Sequence, residues 1–98
     1  MPRPCKLRTI HSPNEYNYFK PRGVPLSQIE EIELTIDELE AVKLADFENL
    51  YQADAAKKMN ISRQTFGNII KSAHKKIANA LINGKAIRIQ GGAVKIKK

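Results

Sequence analysis

Arg63, Gln64, Thr65 and Asn68 lie within six consecutive positions, with Lys71 and Lys75 following at helical-turn spacing. These side chains can read and hold a nucleic-acid duplex. A guanidinium bonds both acceptors of a guanine edge, a carboxamide pairs with adenine, and a hydroxyl bonds a base or a phosphate. Arg63 is the candidate guanine reader, Gln64 and Asn68 are the candidate adenine readers, and Thr65 takes either role. Lys57, Lys71 and Lys75 would neutralise phosphates. Gly67, among them, has no side chain, and that bareness would let a helix lie close to DNA at about 1 kcal/mol of helix propensity relative to Ala. Gln52 would bond a phosphate together with nearby backbone amides.

These residues need two helices and a tight turn to hold them. Residues 52–71 have that form. Gln52 begins a short helix that runs to about Met59, with Ala55, Ala56 and Met59 inward. Asn60 tolerates the left-handed backbone of a sharp turn. Ser62 caps the next helix by accepting one of its free amides. Phe66, Ile69, Ile70, Ala73, Ile77, Ala80 and Leu81 form that helix's inward stripe, and Asn83-Gly84 ends it. At about 20 residues it spans roughly 30 Å, longer than a groove-reading segment needs, so its second half must pack elsewhere.

A further helix precedes these two. Thr35 and Glu38 form a capping box, with Leu34 and Leu39 as its hydrophobic staple. Ile36, Leu39, Val42, Leu44 or Ala45, and Phe47 then recur at helical spacing, predicting a helix that ends near Asn49. Residues 27–33 suit either a short capped turn or a strand. The first quarter carries five prolines (2, 4, 13, 21 and 25) and so favours extended segments and turns. Within it, Lys6–His11 suits a half-buried strand. In the tail, Ile87 and Ile89, then Gly91-Gly92, then Val94 and Ile96, predict a short hairpin.

Charge is segregated along the chain. Residues 1–28 carry five Lys/Arg and one acid, residues 29–56 one Lys and nine acids, and residues 57–98 eleven Lys/Arg and no acid, giving +4, −8 and +11 for the total of +7. A solvated surface mixes its signs, whereas this division points nucleic acid towards the C-terminal part. The 98 residues suffice for one modest core and not for a cavity enclosing a large cofactor, and no cofactor is expected. Cys5, His11 and His74 lack paired ligand spacing, so no metal site is expected. No catalytic constellation stands out, which predicts a protein that is not an enzyme. With neither an 18-residue apolar run nor an apolar leader, no membrane contact is expected and the cytoplasm is the expected compartment.

Several segments together resemble a known family: Asp37-Glu38-Leu39-Glu40-Ala41, Ala55-Ala56-Lys57-Lys58-Met59, Ser62-Arg63-Gln64-Thr65-Phe66-Gly67 and Gly84-Lys85-Ala86-Ile87-Arg88-Ile89-Gln90-Gly91-Gly92. The chain is similar over nearly its whole length to uncharacterised protein family 0251, also called domain of unknown function 134. That resemblance implies DNA binding. The helical part also resembles the fourth region of bacterial sigma factors, where a Leu-Thr-x-x-Glu helix, here Leu34 to Glu38, precedes a helix-turn-helix. Compared with relatives, Tyr51 replaces a small hydroxyl cap, and Asn68 and His74 stand where basic residues are common, which lowers phosphate affinity.

The expectation is a mainly α protein. It has a three-helix helix-turn-helix core (34–84), an extended Pro-rich basic N-terminal arm (1–33), and a basic C-terminal β hairpin or tail (85–98), with short β segments at both termini. Its DNA-binding residues are Gln52, Ser62, Arg63, Gln64, Thr65, Gly67, Asn68, Lys71 and Lys75. The expected partners are double-stranded DNA, a second copy in a homodimer, and the transcription machinery. Pro2-Arg3-Pro4 and Pro21-Arg22-Gly23 invite comparison with minor-groove arms. Two alternatives are an RNA-binding basic module and a sigma-like module that docks protein on its acidic helix.

Overall fold

The computed structural model describes residues 7–11, 16–92 and 94–96, so Pro2-Arg3-Pro4 and Cys5 lie outside the described residues. Thr35 starts the helical region with the capping box: the Glu38 amide donates to Thr35 Oγ1 and the Thr35 amide donates to Glu38 Oε1 at 2.8 Å. Helix α1 (Ile36–Val42) runs into a π-helical turn (Lys43–Phe47), closed by the Glu48 amide on the Lys43 carbonyl at 2.9 Å. The extra residue in that turn rotates the chain out of α register. Leu44 stays buried, and Phe47, expected inward, is 82% exposed.

Helix α2 (Gln52–Lys58) starts at Tyr51, whose side chain caps nothing. Asn60 takes a left-handed φ of 57° in the turn, and α3 (Arg63–Asn83) is 21 residues long, stopped by Gly84 at φ 65°. Ala55, Ala56, Met59, Phe66, Ile69 and Ile70 bury together with Ala41 and Leu44, so α2 packs on the first half of α3 through small side chains. The second half packs elsewhere. Ala73 joins Leu34 and Ile89 in a second cluster flanked by Ile77 and Ile87. Leu81, expected inward, is 76% exposed, because the packed elements end before it.

Among the described residues five short strands accompany the helices: β1 (Arg8–Ile10), β2 (Tyr18–Phe19), β3 (Glu31–Leu34), β4 (Ala86–Ile89) and β5 (Val94–Ile96). Residues 27–33 thus divide between a 3-10 turn at Leu26–Gln28 and β3. The architecture is mainly α with short β segments near both ends. β4 is the centre of a three-stranded sheet, parallel to β3 and antiparallel to β2, while β5 pairs in parallel with β1.

The C-terminal hairpin is therefore not formed, since β4 and β5 enter different sheets. Gly91 and Gly92 serve a close approach instead. The Ile36 amide donates to the Gly91 carbonyl at 3.0 Å, and a Cβ on Gly92 would meet Asp37 Oδ1 at 2.6 Å. The segment expected as an arm contributes β1, β2 and β3, and the Thr9 amide ties β1 to the Met59 carbonyl at 2.9 Å. On the three-stranded sheet, Arg88 forks onto Glu31 and stacks over Tyr18, and this holds the Glu31 carboxyl below the usual range.

Glu38 joins these parts. It is 5% exposed, and besides the Thr35 amide it accepts from Ser72 Oγ and, at 2.8 Å, from Lys76 Nζ on α3. Burial pushes its carboxyl up, but the bonds from Lys76, Ser72 and Thr35 outweigh that and hold it below the usual range. Because its folded pKa lies below the unfolded one, its contribution is complete above the unfolded pKa and is lost as pH falls through the folded value. Urea unfolding should show Glu38→Ala costing about 2–4 kcal/mol at neutral pH and losing less stability than the unaltered chain on acidification. If the two chains responded identically to acid, the clamp would be refuted. Gly92→Ala, strained at φ 97° and crowding Asp37, should cost about 2 kcal/mol or more in the same measurement. A neutral result would mean that the glycine pair is not needed for the close approach.

Candidate nucleic-acid interface

Ser62 fixes where α3 begins. Its Oγ accepts the Thr65 amide at 3.1 Å and donates to Thr65 Oγ1 at 2.9 Å. Both hydroxyls are thus engaged in starting the helix, and Thr65 is half-buried. They orient the helix more than they offer free contacts. No acid stands in the first turn of α3, so nothing there offsets the positive helix end.

Arg63, Gln64 and Asn68 are exposed, as are Lys71 and Lys75. Gln64, Asn68, Lys71 and Lys75 fall at i, i+4, i+7 and i+11, which aligns them along one outward stripe. Gln52, Arg63, Gln64 and Gly67 line an open groove where the start of α2 meets the start of α3. A Cβ on Gly67 would lie 3.4 Å from Gln52 Oε1, so the missing side chain leaves room for Gln52. The sequence assigned that room to an approaching duplex. The nine candidate residues run from the start of α2 to the middle of α3: four around the groove, three along the stripe and two in the cap.

Ion pairing sorts the cations. Lys76 binds Glu38, Lys85 binds Glu30 at 3.2 Å, and Arg88 binds Glu31 at 2.8 Å. Lys57, Lys58, Arg63, Lys71 and Lys75 form no ion pair among the described residues, and all five are exposed. The accessible positive charge of residues 57–92 is thus concentrated on the end of α2 and the outward side of α3. His74 is braced by Asp46 of the π turn at 2.6 Å, a pairing across 28 residues that helical spacing could not reveal. Lys58 was missed, although it sits in the same basic run as Lys57.

The acids are not all surface groups. Asp37, Glu38 and Glu40 are buried, which corrects the picture of α1 as an acidic face open for docking. Glu40 pairs with Lys43 at 3.8 Å, and its Oε2 has no hydrogen bond among the described residues. No helix among the described residues is long and apolar enough to cross a membrane.

A fold of this shape, with one cation-bearing helix face, is accompanied by clear relatives. The chain belongs to the family described as protein of unknown function DUF134, whose model matches residues 1–97. A UPF0251 protein of Desulfosudis oleivorans is 55% identical over 92 residues, covering 94% of this chain and 67% of its own length. One from Caldanaerobacter subterraneus is 54% identical over 96 residues, covering 98% and 81%. One from Clostridium botulinum is 55% identical over 92 residues, where this chain spans only 59% of the relative. No solved structure matches the chain.

Gly67 gives a test of the groove's construction. The atom nearest a new Cβ is the far end of a flexible side chain, so Gly67→Ala should raise stability by about 0.5–1 kcal/mol through helix propensity. Thermal or urea unfolding measures it. A loss of stability would show that Gln52 is rigidly held against that position.

Proposed function

We propose that this chain is a sequence-specific double-stranded DNA-binding protein, a transcriptional regulator that works as a helix-turn-helix homodimer. The first half of α3 enters the major groove. Arg63 reads guanine, Gln64 and Asn68 read adenine, and Gln52 with the amides at the start of α2 holds a phosphate. Lys71 and Lys75 add backbone charge, with Lys57 and Lys58 beside them. The reading involves no catalytic step and no cofactor, and it puts the protein in the cytoplasm with DNA and the transcription machinery.

One observation carries it. Gln64 and Asn68 lie exposed on one outward stripe of α3 with Lys71 and Lys75, Arg63 is exposed at the start of the same helix, and none of these cations has an ion pair among the described residues. Phosphate contacts there supply affinity and the carboxamides and guanidinium supply discrimination. An RNA module fits less well, because Phe66, the aromatic on α3, is fully buried and offers no stacking platform. A docking module built on α1 fits less well too, because Asp37, Glu38 and Glu40 are buried.

Selection from random duplex DNA on the purified chain should return a motif, with structured RNA as competitor to test the alternative. On that motif, Arg63→Ala should cost about 1–3 kcal/mol and relax one base position, while Lys75→Ala should weaken all sequences alike. Log affinity should fall against log salt with a slope of about −4 to −5, for roughly four to six phosphates neutralised. Equal losses on specific and random DNA for both variants would remove Arg63 as the reader.

A further inference from the structure

The C-terminal end of α3 carries apolar side chains that nothing among the described residues covers. Leu81 is 76% exposed, Ile82 80% and Phe19, on the edge strand β2, 54%. Phe19 and Leu81 are two walls of an open groove that also includes Pro21, Ala80 and Ile87. Ala78, exposed as well, lies one helical turn from both Leu81 and Ile82 and joins them into one surface. We propose that this groove is where two copies of the chain meet.

Two observations favour a second copy as the occupant. The first is the rim, which carries both signs: Lys20 and Lys85 line the groove and Glu30 is paired to Lys85 at 3.2 Å with its side chain 75% exposed. A two-fold contact can set Lys20 of one copy against Glu30 of the other, whereas a polyanion would meet Glu30.

The second is position. Leu81 lies 13 residues beyond Asn68, about 20 Å along the helix. Two copies joined there leave both reading ends free and directed apart, as two half-sites roughly 34 Å apart require. This last point alone rests on the DNA-reading proposal.

Sedimentation equilibrium of the full chain, with reductant and without DNA, tests the contact. The weight-average mass should rise with concentration from 11.0 kDa towards twice that value. Leu81→Asp should weaken association at least about tenfold, while Arg63→Ala should leave it unchanged. A mass of 11.0 kDa at every concentration up to about 1 mM would overturn the proposal, as would Leu81→Asp associating like the unaltered chain. If Leu81→Asp does not fold, amide shifts of the unaltered chain on dilution decide. Changes centred on residues 19–21 and 78–85 support the contact, and changes centred elsewhere refute it. Failure to select a DNA motif would count against the reading face and leave these outcomes as they stand.

Discussion

The carboxylate of Glu38 holds the start of the helical region against the middle of α3. It completes the cap of α1 through the Thr35 amide and takes Ser72 and Lys76 from α3 at the same time. A buried acid of this kind is costly alone and stable only when every bond is made. Its partners on α3 are four residues apart, which fixes the helix's rotation about its own axis as well as its position. On the opposite flank, His74 is braced by Asp46. With both flanks held and Phe66, Ile69, Ile70 and Ala73 buried beneath, Gln64, Asn68, Lys71 and Lys75 have only solvent to face.

The same pairing explains how a chain with an acidic middle and a basic C-terminal part keeps a usable positive face. Glu30, Glu31 and Glu38 each bind a cation from the segment that follows α2. Lys76, Lys85 and Arg88 are drawn towards the fold by these contacts. Among the described cations of residues 57–92, what remains outward is the set on the end of α2 and along α3. The exposed pairs add little stability, at about 0–1 kcal/mol each. Their larger effect is on where the field of the molecule points.

Local chemistry was legible in the sequence. Thr35 and Glu38 announced their cap, Ser62 the start of α3, Asn60 the left-handed turn and Gly84 the helix stop, because each depends on residues within a few positions. The candidate interface was legible for the same reason, as an outward stripe follows from helical spacing once the inward one is known. What failed was non-local. Alternation marked β4 and β5 as strands but not their partners, and Gly91-Gly92 looked like a hairpin turn when it is a close contact with α1. Phe47 was misplaced because the π turn changes the helical period, and Leu81 because periodicity says nothing of where the covering elements end. The second role of Glu38 lay 34 and 38 residues away, beyond any local pattern.

The most direct test of the DNA-reading account is an amide-resolved NMR titration of the chain with duplex DNA at low salt. The account predicts shift changes that begin at Gln52 and run from Ser62 to Lys75, strongest at Arg63, Gln64 and Asn68. It would be contradicted by a duplex that leaves those amides unmoved, or by changes confined to the three-stranded sheet and the π turn.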